Sequence, residues 1–153
     1  MNGQDLLIGI GNPLRGDDGV GALLLEELAR ELGAWSTASA ELKAVHQLTP
    51  ELALLVGESR RVLFLDACVS PRTTEPWIER LAHQSVQPEA LGGHCFSPQA
   101  VVALARGLYG WAGEGALLRV PAFSFPQGTA LSEPLVRRLP KARQLMRQWL
   151  AGG

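Results

Sequence analysis

Apolar runs of strand length alternate along this chain with stretches of helical period. Asp5–Ile10 is a short apolar segment punctuated by Gly9 and Gly11, the pattern of a strand buried on both faces. From Gly19 onward Val20, Leu24, Leu28 and Leu32 recur every fourth residue, with Glu26, Glu27, Arg30 and Glu31 on the opposite side. That spacing predicts an amphipathic helix, with Gly33 as its C-terminal cap. Glu41–Leu48 reads as a second strand, and Thr49-Pro50 as the N-cap and first residue of a short helix ending near Gly57. Val62–Leu65 is a third buried strand that ends at Asp66, and Pro76–Leu81, with its proline and mixed polarity, is expected at a sheet edge. Ser97-Pro98 opens a helix running to about Leu108, and Ala116–Val120 is the last strand. Ser132 is expected to cap a final helix in which Leu135, Leu139, Ala142, Met146, Trp149 and Leu150 form one stripe. Pro140 should kink that helix by removing one hydrogen bond. Arg137, Arg138, Lys141, Arg143 and Arg147 lie mostly outside the stripe and read as a solvated face.

Strands alternating with helices, with no internal repeat and no long linker, predict an α/β fold. The expectation is one domain over residues 1–153: a three-layer sandwich with a mostly parallel, five-stranded sheet and helices on both faces. Composition narrows the function classes. With 46% hydrophobic and 19% charged residues the chain has ample apolar surface to offset ordering entropy, so disorder is excluded. Fourteen basic residues against 15 acidic ones leave no positive excess for nucleic acid. No run approaches the ~18 apolar residues of a membrane span. Met1–Asp5 carries no basic region ahead of Leu6, so it does not read as a signal peptide. Cys68 and Cys95 make a poor disulfide framework, and reduced thiols in a cytoplasmic protein are the simpler expectation. A monomer is expected at this size and near-neutral charge.

In open parallel sheets, ligands sit outside the carboxyl ends of the strands. The first strand runs into Gly9-Ile10-Gly11-Asn12-Pro13-Leu14-Arg15-Gly16-Asp17-Asp18-Gly19-Val20-Gly21. A glycine-rich loop entering a helix invites a nucleotide reading, but two carboxylates at the helix entrance would repel a phosphate, and the lysine of a triphosphate loop is missing. A cation is the better guest. The chain has only four aspartates, Asp5, Asp17, Asp18 and Asp66, and the last three follow apolar strands. Asp17 is expected to cap the helix; Asp18 and Asp66 read as site residues. His94, in the glycine-rich segment before Ser97-Pro98, joins them on the same rim. Two carboxylates and an imidazole suit a borderline divalent ion such as nickel or zinc and leave positions open for water or substrate. His46 ends a strand close to this rim, His83 lies in a polar segment and reads as exposed, and the two cysteines read as small, partly buried hydrophobes.

The Gly9–Gly21 segment resembles the signature of the hydrogenase maturation proteases, the endopeptidases that trim the C-terminus of the large subunit of nickel–iron hydrogenases. The resemblance continues through His46-Gln47-Leu48-Thr49-Pro50-Glu51-Leu52, Leu65-Asp66-Ala67, His94 with Ser97-Pro98, and Val120-Pro121-Ala122-Phe123-Ser124-Phe125. It implies a twisted five-stranded sheet between helices and metal-binding residues at Asp18, Asp66 and His94. The metal implied is nickel supplied by the precursor substrate, with zinc or cadmium as substitutes. The implied partner is a nickel–iron hydrogenase large-subunit precursor, cleaved after nickel insertion. Asp18 and Asp66 are the carboxylates available as general base if the ion does not itself do the chemistry. A non-cleaving metal-binding chaperone on the same scaffold is the alternative. Gly-x-Ser-x-Gly, the mark of one serine-nucleophile class, is absent.

Overall fold

Each of the strand-like runs joins a single sheet. The computed structural model describes residues 3–69, 74–81, 96–123, 128 and 130–152. The strands are β1 (Asp5–Ile10), β2 (Ala40–Val45), β3 (Arg61–Cys68), β4 (Trp77–Arg80) and β5 (Glu114–Pro121), in spatial order β2-β1-β3-β5-β4. All pairings are parallel except that of β4, which lies antiparallel on the outer side of β5. The helices are α1 (Val20–Leu32), α2 (Leu52–Glu58), α3 (Pro98–Tyr109) and α4 (Glu133–Ala151), and a 3-10 turn at Gly16–Gly19 precedes α1.

The period-two alternation of strand side chains builds two apolar layers. Leu7, Leu63, Leu65, Leu118 and Val120 point to one face and are buried under α1 and α4. Leu6, Ile8, Val62, Phe64 and Leu117 point to the other, under α2 and α3. This is the expected three-layer sandwich. It explains why the central strands are apolar throughout: neither face meets water.

Local signals held at the predicted caps. Gly33 ends α1 in the left-handed conformation at φ 80°, and the Ser97 and Ser132 hydroxyls accept the Ala100 and Leu135 N–H groups at 3.0 and 3.3 Å. Three expectations shift. β2 stops at Val45 instead of Leu48, because the register with β1 ends at Ile10–Val45. The Thr49–Glu51 stretch is a turn whose carbonyls accept the N–H groups of Leu52, Ala53 and Leu54, so α2 starts at Leu52 with no side-chain cap. β3 runs on through Asp66 to Cys68, because β5 continues to pair with it.

Helix α4 runs unbroken through Pro140. Its arginines do more than meet solvent. Arg143 grips Glu27 of α1 through two bonds of 2.6 and 2.8 Å, and Arg147 pairs with Glu31 one turn on. Arg143 holds the Glu27 carboxyl below its ordinary range. At the far end of the sheet, buried Asp5 accepts from both Arg60 and Arg61, and Arg61 stacks 4.0 Å from the Trp149 ring centroid. Burial pushes the Asp5 carboxyl up, but the two guanidinium groups outweigh it and hold the group below its usual value. Asp5 is therefore structural: it ties β1 to β3 and to the last turns of α4.

Candidate functional site

The crevice follows from where the strands part. β1 and β3 stay in register from Asp5–Arg61 to Gly9–Leu65, and no further. Beyond Leu65, β3 keeps only β5 as a neighbour, with Asp66 opposite Arg119. Asp66 is thus the first residue of β3 whose flank toward β1 is open. Because β2 lies beyond β1 and β5 beyond β3, this is also the point where the strand order reverses, the usual position for a ligand in an open α/β sheet.

Glycines bring the second acid here. The first turn of α1 lies against β1 so closely that a Cβ on Gly9 would sit 2.7 Å from the Gly21 carbonyl oxygen, and one on Gly21 would sit 2.7 Å from that of Leu65. Gly11 has φ +131°, and a Cβ there would lie 2.0 Å from the Asp18 carbonyl oxygen. Only glycine lets the chain leave β1 and still fold the 3-10 turn back over it. Asp18 is then fixed from below: its Oδ2 accepts the Asn12 N–H at 2.7 Å, while Asn12 Oδ1 accepts the Leu14 N–H at 2.9 Å. Gly11→Ala is expected to cost about 2–4 kcal/mol, since backbone would have to move at a positive φ. Urea unfolding checks this, and a loss below about 1 kcal/mol would show that the turn can re-form without glycine.

The two adjacent acids have opposite roles. Asp18 is half-buried and lines the crevice; Asp17 is fully buried and turned away from it. Asp17 does not cap α1, whose N-cap, Gly19, has no side-chain bond. It reaches across instead to the chain after β5, accepting the Phe123 N–H, the Ser132 N–H and the Ser132 hydroxyl, each at 2.7 Å. The Gly16 N–H donates to the Gly128 carbonyl and the Gly128 N–H to that of Leu14. The turn bearing Asp18 is therefore stapled to the start of α4. The expected capping role was wrong because a tertiary partner outbid the local one.

The cleft itself has a volume of about 370 Å³ and brings together Asp18, Asp66, His46, Gln47 and Cys68, with Ile10, Leu48, Val69 and Phe96 as apolar walls. Asp66 is the perturbed group. Burial, then the negative charge of Asp18, raises its carboxyl from 3.8 to about 7, against a smaller opposing pull from Arg119. Burial likewise pushes the Cys68 thiol up, and Cys68 is a free thiol. A carboxylate pair with one member unwilling to ionise is a site short of positive charge.

The structure brings together Asp18 and Asp66, as expected, and adds His46, which the sequence placed only near the rim. The signal for His46 was its position directly after a strand flanking β1. His94 lies outside the described residues, as do His83 and Cys95. Among the described residues no group of three or more His, Cys, Asp or Glu side chains is arranged to hold a metal ion. No helix is long and apolar enough to cross a membrane, again among the described residues.

No family model matches the chain, and no curated protein matches it in sequence. Solved structures do. The hydrogenase maturating endopeptidase HybD from E. coli is similar over 97% of this chain and 93% of its own, with TM-score 0.71 and 20% identity. The [NiFe] hydrogenase maturation protease HycI from Thermococcus kodakarensis KOD1 superposes with TM-score 0.72 at 22% identity, over 97% of this chain and 92% of its own. HybD from Thermococcus kodakarensis, titled a [NiFe] hydrogenase maturation protease, gives TM-score 0.68 at 22% identity, over 96% of this chain and 99% of its own. At such identities the likeness is one of architecture: the chain has the fold of these maturation endopeptidases.

Proposed function

We propose that the chain is an endopeptidase that removes the C-terminal peptide of a nickel–iron hydrogenase large-subunit precursor after nickel has been inserted. The observation that carries this reading is the carboxylate pair in the crevice. Asp66, pushed up to about 7 by burial and by Asp18, gains most from a divalent cation arriving between the two. In this reading the nickel is part of the substrate, and Asp18, Asp66 and His94 receive it. The ion docks the scissile segment in the cleft, and Asp18 and Asp66 are the two carboxylates that can take a proton from the attacking water. The shared fold with maturation endopeptidases supports the same conclusion. The protein then acts as a monomer in the cytoplasm, where the precursor is loaded.

The test incubates the purified chain with nickel-loaded and nickel-free large-subunit precursor and follows the precursor's mass. Loss of a C-terminal peptide from the loaded form alone is the expected result. A stable complex without cleavage would replace this reading with that of a metal-dependent assembly chaperone.

A further inference from the structure

The cleft contains an imidazole that neither the metal-binding reading nor the acid pair uses. His46 follows β2 directly, and its place is set by backbone: the Gly11 N–H donates to the Val45 carbonyl at 2.9 Å, which carries the β1–β2 ladder one step past the strands. The side chain is exposed and lines the same cleft as Asp18 and Asp66. Across the sheet the order is His46 at the end of β2, Asp18 on the turn after β1, and Asp66 on β3. β2 and β3 are two strand spacings apart, roughly 9–10 Å. His46 and Asp66 therefore enter the cleft of about 370 Å³ from strands on opposite sides of β1.

Amide hydrolysis moves two protons. A water oxygen bonds to the carbonyl carbon and loses a proton; the C–N bond breaks only when the nitrogen gains one. Among the described residues lining the cleft, the side chains that exchange protons are Asp18, His46, Asp66 and Cys68. In the reading above Asp18 and Asp66 face the incoming cation, and burial makes the Cys68 thiol a weaker acid still. Histidine is the residue type that holds and releases a proton near neutrality.

We propose that His46 is the proton donor of this cleft, protonating the leaving nitrogen from the β2 side of the crevice. This rests on the endopeptidase reading. The attacking water bonds to the carbonyl carbon and loses a proton to solvent, the imidazolium gives its proton to the nitrogen as the C–N bond breaks, and the imidazole is reprotonated from solvent; the new C-terminal acid passes its proton to the amine, so a carboxylate and an ammonium group leave.

The experiment compares wild type, His46→Gln and His46→Ala on nickel-loaded large-subunit precursor, measuring kcat and KM separately along with precursor binding. Since the side chain is exposed, both variants should unfold at the wild-type temperature. The expected result is a fall in kcat of about 10²–10⁴-fold with KM and binding unchanged, and partial recovery of the His46→Ala rate on adding free imidazole. Unchanged kcat, a raised KM at constant kcat, or a loss that imidazole leaves untouched would each overturn the assignment. A wild type that does not cleave would remove the endopeptidase reading and this inference with it, whereas cleavage by wild type and variants alike removes the inference alone.

Discussion

Replacing Asp66 by Asn is expected to abolish precursor processing and, above neutral pH, to leave the protein more stable than wild type. Both effects have one source. In the unfolded chain this carboxyl ionises near 3.8; in the fold, burial and Asp18 raise it to about 7. Between those values the native state holds a proton that the unfolded state has lost. The contribution of Asp66 to stability is thus complete below about pH 4 and disappears as pH rises through about 7. Above that, the folded protein carries a poorly solvated carboxylate beside another negative group. At about 1.4 kcal/mol per pH unit the upper bound is on the order of 4 kcal/mol, and partial exposure of the site brings it to roughly 2–3. Asn fills the same space without the charge. Urea midpoints of wild type and Asp66→Asn should coincide near pH 4 and separate in favour of the variant by pH 8. A constant difference across that range would show that Asp66 titrates as an ordinary carboxylate. Processing by the variant should fall at least about 10³-fold, since it loses a ligand to the incoming cation and a candidate base together.

Asp17→Ala should do the reverse of what its neighbour's substitution does: it should cost the fold more than Asp18→Ala. The Asp17 carboxylate is fully buried and satisfies the Phe123 N–H, the Ser132 N–H and the Ser132 hydroxyl. The donors it satisfies are only partly buried, so each left without its acceptor costs about 1–1.5 kcal/mol, and the hydroxyl can turn elsewhere; the loss is roughly 2–3 kcal/mol. For a domain of this size that lowers the melting temperature by roughly 5–10 °C. Asp18→Ala exposes mainly the Asn12 N–H beside an open cleft and should lower stability by less than about 1.5 kcal/mol while abolishing processing. Thermal melts of the two variants side by side decide the matter. Equal losses would mean that the acid pair acts as one unit.

Much of this architecture was readable from the chain because it rests on local physics. The β1 limits and the caps at Gly33, Ser97 and Ser132 came out as predicted. Hydrophobic period, a hydroxyl before a proline or a polar residue before a helix, and a glycine past its end act within a few residues. Strand ends were read less well, since β2 and β3 stop where their partners stop.

The same divide runs through the site. That Asp18 and Asp66 would meet at one rim was legible, because carboxylates just past buried strands in a parallel sheet can only gather at one edge. The sequence separated Asp18 from Asp17 as the cleft acid but did not show what Asp17 holds. Adjacent residues point apart, and the donors that claimed Asp17 lie more than a hundred positions away, at Phe123 and Ser132. Nor could it weigh His46, whose entry into the cleft depends on β2 lying beside β1. Of the basic residues of α4 that read as solvated, Arg143 and Arg147 instead meet α1, while Arg137 stays largely exposed. The chain alone settled which segments become strands and helices and which residue types stand at their ends, since those choices are made over one or two turns of backbone. Three-dimensional packing decided which carboxylate meets the cleft and which holds the loops, because burial and charge depend on neighbours that only the folded sheet supplies.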